Sequence, residues 1–146
     1  MKREISFTIH GNQTDPKKGN PIPYLRMTQG SKWSDPAVRY HGWCDYVRRL
    51  YKEASGYVAP NERSRYTAKE YREMVHEFEP KKPIPGSPKG RTTVTIYFGT
   101  ENHADPDNVV KGINDALFEN DKHIDVSTSH SCKNAEPRVE VTIELQ

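Results

Sequence analysis

Seven consecutive residues, Asp105-Pro106-Asp107-Asn108-Val109-Val110-Lys111, hold the densest chemistry in this 146-residue chain. Pro at the first helical position makes Asp105 the natural N-cap, because the missing N–H would be unpaired there anyway and the fixed φ suits the turn. The helical periodicity then runs from Pro106 to about Phe118. At 100° per residue, Val109, Val110, Ile113, Ala116 and Leu117 share one arc. Asp107, Lys111, Asn114 and Asp115 share the opposite arc. One face therefore packs, and the other gathers charge beside the free amides of a helix N-terminus. Hard divalent cations such as Mg²⁺ take carboxylate oxygens and keep several waters. Phosphates take those cations, an ammonium group and free amides. The plainer reading competes with this one. Acidic first turns are common, and the helix dipole favours Asp107 where it stands. Lys111 would then only pair with Asp107 or Asp115, an interaction worth about 0.2–0.5 kcal/mol.

Asn108, Lys111 and the downstream Asn114-Asp115-Ala116-Leu117 shift the balance toward function. With them, the stretch resembles the D-x-D-N-x-x-K…D-A-L signature of the RusA-type Holliday-junction resolvases. Those are small phage and prophage endonucleases that cut four-way DNA junctions using Mg²⁺. The resemblance is strongest over residues 94–133. It implies that Asp105 and Asp107 are the two leading catalytic, metal-binding aspartates, that Lys111 is the catalytic lysine, and that Asn108 is the asparagine between them. The family's third aspartate lies in a D-D-x-Q-V stretch. The corresponding run here is Asn120-Asp121-Lys122-His123-Ile124, so Asp121 is the match and Asp125 the reserve. Asn120 and His123 depart from that pattern, and the segment from Leu117 to Asp121 is shorter. Asp115 is a supporting residue that would orient Lys111. His103 is near enough in sequence to assist a proton transfer, although a lone loop histidine is usually a bystander.

The resemblance further implies Mg²⁺ as cofactor, with Mn²⁺ as a substitute, and branched DNA as partner. It also implies a homodimer. A four-way junction has approximate two-fold symmetry and needs two placed nicks, which a C₂ dimer with two sites supplies. Two other readings stay open. One is a nuclease acting on flaps or other branched DNA. The other is a module that binds branched DNA without cutting it. Bare carboxylates repel phosphate unless a cation lies between them, which argues against a pure binder.

Composition sets the frame for these residues. The length suits one domain, 1–146, with a core of moderate size. A hydrophobic share of 33% points to a small core with long solvated loops. The formal charge of +2 is too small to argue nucleic-acid binding by itself, so the distribution of charge matters more than its sum. Cys44 and Cys132 make no disulfide framework, and Cys44 falls on an apolar helix face as a buried thiol. The histidines have no close ligand spacing, which makes a zinc site unexpected. No apolar run approaches a signal peptide or a membrane span, so no membrane association and a cytoplasmic location are expected.

Four strands and three helices are expected around the motif. Ile5, Phe7 and Ile9 alternate with polar residues in a first strand. A loop over 11–35 follows. In it, Lys17, Lys18, Arg26 and Lys32 interleave with Tyr24 and Trp33, a mix suited to a nucleic-acid backbone and an unstacked base. Asp35-Pro36 starts a helix that carries Tyr40, Trp43, Cys44, Val47, Leu50, Tyr51 and Ala54 on one face and ends at Gly56. Thr67 to Glu70 is a capping box for a second helix, burying Tyr71, Met74, Val75 and Phe78. A Pro-rich loop over 79–91 adds Lys81, Lys82, Lys89 and Arg91 as candidate DNA contacts. Val94, Ile96 and Phe98 make the second strand, and Ile124, Val126 and Thr128 begin the third. Val139, Val141, Ile143 and Leu145 make the fourth. The order β-α-α-β-α-β-β predicts an α/β domain with a small mixed sheet. The second strand, the motif helix and the third strand form a right-handed parallel crossover. The short link before the fourth strand favours an antiparallel hairpin with the third.

Overall fold

The computed structural model describes residues 3–12, 19–25, 34–56 and 82–146. Within them the chain forms β1 (Arg3–His10), α1 (Asp35–Ser55), β2 (Gly90–Tyr97), α2 (Pro106–Leu117), β3 (Ile124–Ser131) and β4 (Arg138–Leu145). The strands make one mixed sheet in the order β1-β4-β2-β3. Both helices pack against it around a single core. The expected capping-box helix from Thr67, and the basic residues Lys17, Lys18, Arg26, Lys32 and Lys81, lie outside the described residues.

β2 and β3 are parallel, as the crossover requires. The expected hairpin between β3 and β4 does not form. β4 instead lies between β1 and β2, antiparallel to both. Burial explains the choice. Val139, Val141 and Ile143 of β4 are at most 1% exposed, a pattern that a central strand satisfies best. β3 is polar along most of its length and leaves Val126 49% exposed, which suits an edge. The six-residue link Cys132–Pro137 therefore passes across the end of β2. Asn134 fastens it there, its backbone N–H and its side-chain Nδ2 both donating to the Phe98 carbonyl, at 3.0 and 3.1 Å.

α1 starts one residue earlier than the Asp35 cap suggests. Ser34 is the N-cap, its hydroxyl accepting from the Ala37 amide at 3.4 Å, and Asp35 sits in the first turn. Gly56 closes the helix in the left-handed conformation, with φ of 73°. Tyr40, Trp43, Cys44, Val47 and Tyr51 are buried as the periodicity predicts, whereas Ala54 is exposed.

α2 is enclosed over a wider arc than its apolar stripe. Asn114, expected on the polar side, is only 3% exposed, and its Oδ1 has no hydrogen-bond partner among the described residues. Gly112 is buried too, because the backbone of Tyr24 crosses the helix there. A Cβ on Gly112 would stand 3.2 Å from the Tyr24 nitrogen and 3.4 Å from the Tyr40 ring. The missing side chain is what allows the segment 21–25 to seat on α2. Arg91, assigned to the loop from sequence, belongs to β2, where it stands in register between Glu144 of β4 and Asp125 of β3.

Candidate functional site

The motif helix is aimed by the turn that precedes it. β2 continues to the fully buried Phe98, and the chain then turns through Gly99 to Ala104. Asn20 ties this turn to the N-terminal segment. Its Oδ1 accepts from the Gly99 amide at 2.8 Å, and its Nδ2 donates to Thr100 at 3.2 Å. His103 lies flat on Phe98, ring centroids 3.8 Å apart, and its Nδ1 is 2.8 Å from the Ala104 carbonyl. His130 of β3 approaches it edge-on at 5.8 Å. Nothing in the histidine spacing announces this pair, because only the parallel register of β2 and β3 brings His130 alongside.

Asp105 caps α2 as read from sequence. Its Oδ1 accepts from the Asp107 amide at 2.9 Å. Its other oxygen and the exposed Asp107 carboxylate carry no ion pair among the described residues. Asn108 is exposed, and its backbone carbonyl accepts from the Tyr24 amide at 2.9 Å. One turn on, the Lys111 ammonium sits 4.3 Å from the centre of the Tyr24 ring, a cation–π contact. The expected salt bridge from Lys111 to Asp107 or Asp115 is not made. Asp115 is occupied otherwise: Lys82 bridges its Oδ1 at 3.2 Å, and the Tyr40 hydroxyl donates to its Oδ2 at 2.8 Å. Asp115 therefore does not orient Lys111. Burial drives the Tyr40 phenol far above its usual range, so it stays a donor to that carboxylate.

Lys111, Asp115, Lys82, Tyr24 and Asp121 line one shallow cleft of about 150 Å³. The aspartates of the motif are thereby divided. Asp105 and Asp107 stand at the start of α2, whereas Asp121 lies beyond its end, three residues before β3. In the parallel register Ile124 faces Gly90, and Ser131 faces Tyr97. The Asp121 end is thus the beginning of β2, while Asp105 follows its finish, at the opposite end of the twelve-residue α2, a helix roughly 18 Å long at about 1.5 Å per residue. Among the described residues, no three His, Cys, Asp or Glu side chains converge to hold a metal. Asp125 lies at the same end as Asp121, opposite Arg91.

Of the basic residues that can be placed, Lys82 is engaged by Asp115. Lys89 is exposed, and Arg91 is exposed between two acidic neighbours in register. Tyr24 and Tyr40 emerge as site residues that the motif does not contain. Tyr24 was visible as an aromatic in a basic loop, and Tyr40 only as core. No helix among the described residues is long and apolar enough to cross a membrane. In comparison with known proteins, the chain matches no family model and no curated sequence.

Proposed function

We propose that this chain is a Mg²⁺-dependent endonuclease of the RusA type, acting on four-way DNA junctions as a homodimer. The observation that carries this reading is the state of Lys111. A lysine one turn from two carboxylates is ordinarily spent on one of them. Here Asp115 is satisfied by Lys82 and Tyr40, and the Lys111 ammonium rests on an aromatic face instead. With no ion pair among the described residues, it can meet an anion, while Asp107 and one oxygen of Asp105 can meet a cation.

The donor set suits magnesium, which commonly takes one or two protein carboxylates and completes its shell with water and substrate phosphate. Asp105 and Asp107 would hold it. Bound there, such an ion would supply an acidified water and would polarise a phosphoryl oxygen. The N-cap role of Asp105 fixes its carboxylate against the helix amides, so that one ligand is held before substrate arrives. Lys111 offsets the negative charge that develops on the phosphoryl group or on the departing oxygen. Manganese, with similar oxygen preference, would substitute.

Asp121 of the same chain is too far from Asp105 to share an ion whose bonds are about 2.1 Å long. Under this proposal, a two-fold partner brings its own Asp121 to the Asp105 site, and both nicks follow from one symmetric dimer. The decisive assay is nicking of a synthetic four-way junction with and without Mg²⁺, beside a linear duplex. Paired nicks confined to the junction support the resolvase reading, and junction binding with no nicking in any divalent cation overturns it. Mixing Asp107→Asn chains with Asp121→Asn chains tests the shared site. Confirmed heterodimers should regain one complete site and nick once, and a mixture with no nicking refutes it.

A further inference from the structure

Tyr24 stands between two clefts. On one side lies the Lys111 cleft. On the other, Tyr24, Pro21, Pro23, Leu25, Pro36 and Arg39 wall a second groove of about 430 Å³. The ring is held firmly between them. Its backbone amide donates to the Asn108 carbonyl at 2.9 Å, and Gly112 lets its backbone rest directly on α2. Its edge meets the Tyr40 ring at 5.8 Å and 81°, and Tyr40 is anchored in turn to Asp115. Tyr24 is therefore positioned by the helix that carries Asp105 and Asp107.

The chemistry of the groove is specific. Proline rings and a tyrosine give flat apolar walls, and Arg39 is an exposed cation beside them with no ion pair among the described residues. Across the Tyr24 ring stands a second cation, Lys111. Such a slot suits a flat, weakly polar ring covalently joined to an anion. An apolar side chain of a protein would fill the walls but leave both cations unanswered. We propose that this groove takes one unpaired nucleobase, whose phosphate lies on the Lys111 side of Tyr24. The base must be unpaired and splayed, because in a duplex both of its faces are already covered by neighbours. The pairs that flank the exchange point of a branched DNA lack a continuous stacked neighbour, so they open at lower cost than pairs inside a duplex. The placement of the phosphate rests on the endonuclease reading, whereas the base preference can be measured without it.

The test compares a four-nucleotide DNA strand with the same sugar-phosphate strand lacking its bases. Binding is measured in Ca²⁺ by the change in emission of a Tyr24→Trp chain relative to the wild type, whose Trp33 and Trp43 give the background, and by calorimetry of the wild type. Stacking on an aromatic ring is worth about 1–3 kcal/mol per base, so the intact strand should bind the wild type about 5- to 150-fold more tightly. The tryptophan emission should be quenched by the intact strand and not by the baseless one. Tyr24→Leu, with its folding verified by thermal unfolding, should lose the preference. Arg39→Gln, which leaves the rings in place, should weaken the intact strand severalfold. Equal affinity of the wild type for the two strands overturns the proposal, as does a folded Tyr24→Leu chain that keeps the full preference. Nicking is scored separately. A chain that nicks junctions without base preference loses only the groove, and one that prefers bases without nicking loses only the nuclease reading.

Discussion

The two ends of α2 carry similar residues in opposite circumstances. At its start, Asp105 and Asp107 are exposed, and among the described residues the Asp105 carboxylate accepts only from the amide of its own helix. At its finish, Asp115 is gripped by Lys82 and by the buried Tyr40, and Asn114 is enclosed altogether. A carboxylate that the fold has already paired contributes to structure. A carboxylate left exposed beside an uncommitted lysine is available for a ligand. The difference comes from what lies opposite: Tyr40 of α1 and Lys82 reach Asp115, while the segment at the start of the helix meets it through the Tyr24 backbone and leaves the carboxylates of Asp105 and Asp107 exposed.

If that contrast is functional, the two ends should respond differently to substitution. Asp107→Asn should give the largest effect, a loss of junction nicking of a hundredfold or more with thermal stability unchanged and junction binding in Ca²⁺ retained or tightened. Nicking within tenfold of wild type would remove Asp107 from the metal site. Lys111→Ala should come next, lowering the single-turnover nicking rate by about 10²-fold, the scale of losing one preorganised charge partner in a transition state. Lys82→Ala should change that rate much less, and equal losses for the two lysines would erase the distinction between paired and free.

The other end should show itself in stability. Asp115→Ala removes a half-exposed ion pair and leaves the Tyr40 hydroxyl without its acceptor, a combined cost of about 2 kcal/mol by denaturant unfolding. An unchanged midpoint would mean that this end of α2 is no more tied down than the other. The buried thiol beside Tyr40 adds a pH signature. Burial raises Cys44 from 9.0 to about 11. Between those values the unfolded chain ionises this thiol and the folded chain does not, so its contribution is intact below about pH 9 and is lost as pH rises toward 11. The loss is on the order of 2 kcal/mol. Cys44→Ala should flatten that part of the alkaline stability profile, and an unaltered slope would contradict the burial assigned to the thiol. The smallest effect separates capping from charge at Asp105. Asp105→Ala should cost about 1 kcal/mol of stability, while Asp105→Asn, itself a good N-cap, should cost little and still abolish nicking. Equal destabilisation by the two would leave the carboxylate without a role beyond the cap.

Much of this architecture could be read from local pattern. The four strands, α1 and α2 follow from apolar spacing and from signals one or two residues long, such as Pro106 after Asp105 and Gly56 after α1. Their neighbours in space could not. Hairpin statistics favoured β4 beside β3, because short links usually join adjacent strands. The actual preference arose from β4 being the most apolar strand and thus the one with most to gain from a central place. Arg91 reads as loop charge because the clear alternation of this strand begins only at Val94, and its two in-register acidic neighbours come from different strands. Asn114 reads as polar-facing from its helix arc, because the arc says nothing about what packs over it, and it is 3% exposed.

What the sequence determined by itself was the composition of the site: a capped helix start bearing Asp105, Asp107 and, one turn later, Lys111. Those relations span at most six residues, and helix geometry alone settles them. What only tertiary structure decided was which of those groups were already spent. The Lys82–Asp115 bridge, the Tyr40 hydroxyl on Asp115 and the Tyr24 ring beneath Lys111 join segments 33, 75 and 87 residues apart in the chain. No local spacing encodes such partners, because they meet only after the sheet order and the packing of α1 on α2 have been chosen to bury the core. The same packing set Asp121 at the far end of a parallel crossover from Asp105, and so turned three aspartates that are close in sequence into two separate places on the molecule.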